Sequence, residues 1–198
     1  LMACVKHYAL YGAAEAGRDY NTVDMSRVTA MNYYMRPYQA AVEAGVGSIM
    51  TSFNEFESIP ATGNTWLLND VLRKQWGFNG FVVSDFTAIA EMVNHGIGNR
   101  QEVGVKALKA GVDMDMIADC YHAVLKKSLE EGKITEAKID SACRRILIAK
   151  YQLGLFHDPY KYCNPKRAAK EFLSVNNLSL IHISEPTDLS TSRMPSSA

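Results

Sequence analysis

Gly77–Gly96 reads GFNGFVVSDFTAIAEMVNHG, and its short apolar run decides the fold. Phe81-Val82-Val83 follows the turn pair Asn79-Gly80, and a β-branched and aromatic run so placed predicts a buried strand. The strand ends in the polar pair Ser84-Asp85. Beyond it, Ala88, Ile89, Met92 and Val93 recur at helical spacing, so Asp85 falls at the carboxyl end of a strand just before a helix. Folds of the α/β class build their active sites at that edge. Asp is also a favoured helix-capping residue. From this stretch alone, Asp85 is therefore either a cap or a reacting group.

Working upstream, Val46–Phe53 (VGSIMTSF) predicts a second strand, followed by Asn54 and a long loop carrying Pro60 and Gly63. Helix Trp66–Trp76 places Trp66, Leu67, Val71 and Leu72 on one side, and Gly77 ends it. A helix over Met25–Ala44 carries a core stripe of Val28, Met31, Tyr34 or Met35, Tyr38 and Val42. Pro37 should kink or divide it, and Gly45 stops it. Gly12–Asp24 reads as a loop, the kind of segment in which binding residues concentrate. Before it, the apolar run Ala3–Ala9 carries Lys6 and His7. Both have donors suited to sugar hydroxyls or an anion; the plainer reading is a solvated lysine beside a hydrogen-bonded histidine.

Downstream, Glu102–Ala110 predicts a helix, and Gly111 precedes VDMDMI, a strand candidate with Asp113 and Asp115 alternating with apolar residues. Two carboxylates invite a metal, but no further ligands stand at suitable spacing, so a hydrogen-bonded or barrel-mouth role is expected. Two helices, Tyr121–Glu131 and Thr135–Tyr151, meet at Gly132. The second carries a stripe of Ile139, Cys143, Ile146 and Leu147, with Arg144, Arg145 and Lys150 on a solvated face. Leu153–Phe156 and Pro159 close the globular part. Strands near Val5, Ile49, Val82 and Met114 thus alternate with helices, which argues for an α/β fold of parallel strands. That is half a barrel or an open sheet. A complete eight-stranded barrel takes about 250 residues, and this chain has 198.

The chain is 47% hydrophobic and long enough for a sizeable core, and its 21 basic residues balance 21 acidic ones. No charge excess points to nucleic acid or to an acidic membrane surface. Cys4, Cys120, Cys143 and Cys163 show no paired or metal-binding spacing, and are expected as reduced, partly buried thiols. No run is apolar enough to span a bilayer, and no signal peptide is visible after Leu1.

Taken in order, several segments resemble glycoside hydrolase family 3, the β-glucosidase family. They are Lys6-His7 in CVKHYA, GRDYNTVDMS at Gly17–Ser26, MTSFN at Met50–Asn54, GFNGFVVSDF at Gly77–Phe86, AGVDMDM at Ala110–Met116, and RRIL to LGLF at Arg144–Phe156. The resemblance covers roughly residues 1–170. It implies a partial TIM-type (β/α) barrel, about the C-terminal half, over residues 1–160, with the start of an interdomain linker at 161–177.

The resemblance further implies that Asp85 is the nucleophile of a retaining glycosidase. Lys6 and His7 would hydrogen-bond the sugar, Met50 and Phe53 would line its pocket, and Phe86 would stack on the aglycone side, where the family often has Trp. Phe53 departs from a commoner Tyr and so lacks a phenol that would reach the nucleophile. The branch acting on N-acetylglucosaminides carries a further His in its glycine-rich loop; KHYALYG here has none after Gly12. The expected substrate is an oligosaccharide or β-glycoside with a terminal β-linked sugar, with no cofactor and no metal. The family's sugar-binding Asp and Arg precede the Lys-His pair and are missing from this chain. In the family the acid/base Glu usually comes from an α/β sandwich domain, missing here; retaining chemistry needs two carboxyl groups about 5–5.5 Å apart, and this chain is expected to supply one. Glu91 is expected to be a surface or packing residue. The chain alone is expected to be inactive, the alternative being a non-catalytic sugar-binding remnant or β-xylosidase-type specificity. The intact protein is expected to be periplasmic or secreted.

The pattern changes after Asn177. Leu178–Thr187, LSLIHISEPT, is what a reading frame through a common transposase sequencing adapter encodes, and Ser192–Ala198 matches the adapter's far end. Residues 178–198 are expected to be translated library DNA, and Asp188–Ala198 alone also fits a disordered Ser/Thr-rich tail.

Overall fold

Strand β6 (Phe81–Val83) forms where the apolar run predicts it, and it pairs in parallel with β3 (Ser48–Thr51). β3 pairs in parallel with β1 (Cys4–Tyr8), giving the order β1-β3-β6. The computed structural model describes residues 2–176 and 178. Ile49 and Val82 are fully buried along this sheet, and each such side chain contributes roughly 1.5–3 kcal/mol through burial. The strand expected over VDMDMI shrinks to a single parallel bridge, Val83 to Met114. It still continues the sheet, because Ser84 N–H donates to Met114 O at 2.9 Å and Asp113 N–H donates to Val82 O at 2.8 Å. All four segments run parallel, so their carboxyl ends share one edge. The Lys6–His7 and Tyr8–Ala9 peptide bonds are cis.

A second small sheet was not foreseen. β2 (Thr22–Val23), inside the expected loop, pairs in parallel with β4 (Glu55–Phe56), which pairs antiparallel with β5 (Ile59–Pro60). The β4–β5 hairpin turns through Glu57 and Ser58, both at positive φ. Such a turn normally announces itself by Asn-Gly. Here it has no glycine to betray it.

The expected helix Met25–Ala44 is three pieces: α1 (Arg27–Thr29), a π-wound turn Ala30–Tyr34, and α2 (Arg36–Glu43). Pro37 lies in the first turn of α2, where its missing N–H costs nothing, and it divides the helix as expected. Met35 is buried, but Val28 is 69% exposed, so the stripe does not extend to it. Segment Trp66–Gln75 is also π-wound, with Trp76 N–H donating to Val71 O, and it buries Leu67, Leu68, Val71 and Leu72. Tyr8, fully buried, donates its phenol to Leu67 O at 2.9 Å.

After β6 come α3 (Ala88–Glu91), α4 (Arg100–Ala110), α5 (Cys120–Glu130) and α6 (Glu136–Gln152). α4 starts at a capping box between Asn99 and Glu102. On α6 the buried residues are Ala142 and Ala149, whereas Cys143 and Leu147 of the expected stripe are exposed. Arg145 does not lie on a solvated face: its guanidinium donates to Asp113 at 2.8–2.9 Å. The four thiols are free as expected, yet only Cys120 is buried.

The chain divides into two units, Leu1–Leu153 and Gly154–Ala198. The second contains α7 (Pro165–Glu171), capped by Asn164, whose side chain accepts from Lys166 N–H. Apart from Leu178, the adapter-like tail, Ile181 and Ile183 included, lies outside the described residues. Among the described residues no helix is long and apolar enough to cross a membrane.

Candidate active site

The shared edge of the parallel strands gathers the chemistry. β1 delivers His7 near its end, β3 leads into Ser52 and Phe53, and β6 leads into Ser84 and Asp85. Two buried serines tie the edge together. Ser52 Oγ donates to Ala9 O at 3.1 Å, and Ser84 Oγ accepts from Met116 N–H at 2.8 Å.

Asp85 does not cap the helix that follows. Thr87 holds the cap position of α3 with no side-chain cap bond, and Asp85 Oδ1 accepts instead from Phe86 N–H at 2.6 Å. The other oxygen, Oδ2, stands 3.3 Å from His7 Nε2, with the Asp85 side chain 13% and the His7 side chain 26% exposed. One carboxylate oxygen is thus pinned locally, and the other faces a ring carried by β1, on the far side of β3 in the sheet. Tyr38 donates its phenol to the His7 carbonyl, which fixes the backbone carrying that ring.

The other expected residues are less tightly gathered. Lys6 is exposed, and His7 rather than Lys6 is the ion-pair partner of Asp85 among the described residues. Met50 lies half-buried on β3, opposite Val83 of β6. Phe86 is 56% exposed beside Asp85. Phe53 packs between two aromatic rings, Tyr20 at 4.7 Å and Tyr11 at 6.3 Å between centroids. Tyr11 in turn lies 5.1 Å from the His7 ring.

Tyr11, Asp19 and Tyr20 were not singled out from the sequence. Burial, the nearby Asp19 carboxylate and the charge of Asp85 push the Tyr11 phenol up to about 12. Tyr20 is raised as well, by desolvation and then by the charges of Glu91, Asp19 and Asp85. Their only sequence signal was the loop after β1, within which GRDYN supplies Asp19 and Tyr20.

The two aspartates after Gly111 have structural partners. Asp113 is held by Arg73, Arg145 and Val82 N–H. Asp115 Oδ2 accepts from Cys120 N–H at 2.6 Å and Tyr121 N–H at 3.1 Å, serving the first turn of α5. Among the described residues no group of three His, Cys, Asp or Glu is placed to hold a metal ion. Glu91 is half-buried and accepts from Asn94 Nδ2 at 2.9 Å.

The family model for the N-terminal domain of glycosyl hydrolase family 3 matches residues 1–149. The chain belongs to glycosyl hydrolase family 3. A family 3 match of this extent covers every site residue named above. A periplasmic β-glucosidase of Salmonella typhimurium is 48% identical over 169 residues, covering 85% of this chain and 22% of that protein. A β-xylosidase of Formosa agariphila is 40% identical over 166 residues, covering 79% of this chain and 23% of that one. Among solved structures, a mutant β-glucosidase from Listeria innocua in complex with laminaribiose superposes with a TM-score of 0.87 at 43% identity, covering 92% of this chain and 25% of that one. This family 3 chain therefore spans a quarter or less of the length of these relatives. Its α/β fold is close to that of a family 3 β-glucosidase.

Proposed function

We propose that Asp85 is the nucleophile of a retaining β-glycosidase that removes terminal β-linked glucose from oligosaccharides or β-glycosides. The observation that carries this reading is the presentation of Asp85. It stands at the carboxyl edge of β6, free of any capping duty, with Oδ2 facing His7 Nε2 at 3.3 Å. Its carboxylate attacks the anomeric carbon, and the bond from that carbon to the aglycone oxygen breaks. The aglycone leaves with the electron pair, taking a proton from a separate acid. Water then attacks the same carbon, giving its proton to the conjugate base of that acid, and frees Asp85, so two inversions give net retention. His7 steadies the carboxylate, and Lys6, Met50 and Phe53 hold the sugar. Phe86 offers its ring to the aglycone.

In this reading residues 1–160 are about the C-terminal half of a barrel, 161–177 begin a linker, and 178–198 are not native to the fold. The acid/base Glu comes from a sandwich domain outside this chain. β-Xylosides form a second substrate class, favoured by the similarity to a β-xylosidase. The periplasmic relative supports a periplasmic or secreted setting for the intact protein.

The test uses 2,4-dinitrophenyl β-glucoside and β-xyloside, whose leaving group departs without a proton and so bypasses the missing acid. The chain should hydrolyse at least one of them with the β anomer formed first, as seen by NMR, and Asp85→Ala should lose almost all turnover. A first-formed α anomer, or undiminished turnover by Asp85→Ala, would overturn the reading.

A further inference from the structure

Three segments leave the carboxyl edge of the sheet: one after β1 that holds Tyr20, one after β3 that holds Phe53, and one after β6 that begins near Asp85. Glu55 bonds to all three. It opens β4, two residues after Phe53, and its N–H donates to Asn21 O at 3.2 Å. Its carboxylate oxygens are divided: Oε2 accepts from the Thr22 hydroxyl at 2.9 Å, and Oε1 accepts from His95 Nδ1 at 2.6 Å. A carboxylate only accepts, so the proton of this short bond is carried by Nδ1. The Glu55 side chain is 20% exposed and that of His95 13%. Shielded from most of the competing water, such a bond holds better than an exposed surface pair.

His95 matters because residues 85–97 bond mostly among themselves. The N–H groups of Glu91, Val93, Asn94, Gly96 and Ile97 all donate within that stretch, and the Glu91 carboxylate accepts from Asn94. α3 is only four residues long and starts without a side-chain cap, so its first donors lack the partners that hold a helix end. Its anchors to the rest of the fold are Thr87 N–H on Met116 O at 3.1 Å and the buried side chains of Ile89 and Met92. Among the described residues, the Glu55–His95 bond is the side-chain hydrogen bond joining this stretch to the segments after β1 and β3. We propose that Glu55 and His95 are positioning residues: they latch residues 85–97 to the segments carrying Tyr20 and Phe53, and so keep Asp85 facing His7. The role of the latch in catalysis rests on the reading of Asp85 as the nucleophile.

The experiment needs no turnover, because the His7 ring is its gauge: Nε2 stands 3.3 Å from Asp85 Oδ2. The full chain is labelled with isotopic histidine and followed by NMR at one fixed pH. Loss of a signal in His7→Gln assigns the His7 ring, and Asp85→Ala gives the position of that signal without the carboxylate. His95→Ala and Glu55→Ala break the latch from its two sides. Glu55→Gln keeps one acceptor oxygen. Amide hydrogen exchange, read in the same variants, reports which segments open together.

His95→Ala and Glu55→Ala should each move the His7 signal at least halfway toward its Asp85→Ala position, and Glu55→Gln should move it less. Exchange should rise by about tenfold in residues 85–97 and also in 20–23, even when only His95 is removed. The double variant should add little to either single one, because both remove the same link. A His7 signal unmoved by His95→Ala and Glu55→Ala, whatever they do to stability, would reduce the pair to a structural contact and overturn the proposal. Faster exchange confined to residues 85–97, or a wild-type His7 signal that Asp85→Ala leaves in place, would overturn it too. If Glu55→Ala does not fold, His95→Ala decides, since it leaves Glu55 bonded to Asn21 and Thr22. If a 2-deoxy-2-fluoro-β-glucoside esterifies a residue other than Asp85, the reading of the nucleophile falls, and the His7 signal still decides the latch.

Discussion

Arg73 and Asp113 form a buried ion pair, with Nη2 and Oδ2 2.7 Å apart and the Asp113 side chain fully shielded from solvent. The same oxygen accepts from Val82 N–H at 2.8 Å, and Oδ1 is taken by Arg145 of α6. Arg73 spreads its other donors over the carbonyls of Phe78, Gly80 and Gly111. One carboxylate thus ties segment Trp66–Gln75, β6 and α6 together, a role that keeps it away from the sugar.

Asp113→Ala should destabilise the fold by about 3–5 kcal/mol, because it leaves the Arg73 guanidinium buried without its partner. Arg145→Ala should cost less, since the Arg145 side chain is 26% exposed and water can replace it. Urea denaturation of both variants checks the order. Equal midpoints for wild type and Asp113→Ala would show that the pair contributes nothing.

Gly80→Ala tests the approach of β3 and β6 at their amino-terminal ends. A Cβ on Gly80 would lie 2.3 Å from Gly47 O and 2.6 Å from Cζ of Phe78. The first contact is with backbone, so relief requires the strands to part. Overpacking of this kind costs about 1–3 kcal/mol, and the upper end is expected here. The three atoms nearest a Cβ on Gly47 all belong to the flexible Met2 side chain, so Gly47→Ala should be milder. The difference in melting temperature between the two variants reads the effect.

Alkaline titration should separate the tyrosines. Tyr8, Tyr11, Tyr20, Tyr38 and Tyr121 all have raised phenol values, with burial or desolvation the leading cause. A folded value above the unfolded value of about 10 means that the native state holds the proton more tightly. The associated stability is complete below about pH 10 and is lost as pH rises. For Tyr11 that window runs from about 10 to about 12. Ultraviolet tyrosinate absorbance should therefore rise in separate stages, with Tyr8 and Tyr121 ionising only as the fold opens. A single step near pH 10 for all ten phenols would contradict this.

The parallel sheet was legible because its strands are short apolar runs bounded by turn residues, as at Phe81-Val82-Val83 after Asn79-Gly80. Pro37 announced the break before α2 through chemistry that needs no tertiary context. The β4–β5 hairpin stayed hidden because Glu57 and Ser58 adopt positive φ without being Gly or Asn. Arg145 was misread as solvated because helical periodicity gives a direction but not the buried carboxylate waiting there. At the site, the strand-end place of Asp85 was legible, whereas its approach to His7 Nε2 at 3.3 Å was not. Tyr11 and Asp19 were invisible because a loop held by Leu10, Ala16 and Tyr20 in the left-handed region has no periodicity to read.

The most direct test of Asp85 as the nucleophile is to locate the ester. After reaction of the full chain with 2,4-dinitrophenyl 2-deoxy-2-fluoro-β-glucoside, peptide mapping by mass spectrometry should find one fluoroglucosyl group on the peptide containing Asp85. Fragmentation should place it on that side chain, and Asp85→Ala should remain unlabelled. A label on Asp19 or Glu91, or equal labelling of Asp85→Ala, would contradict the account.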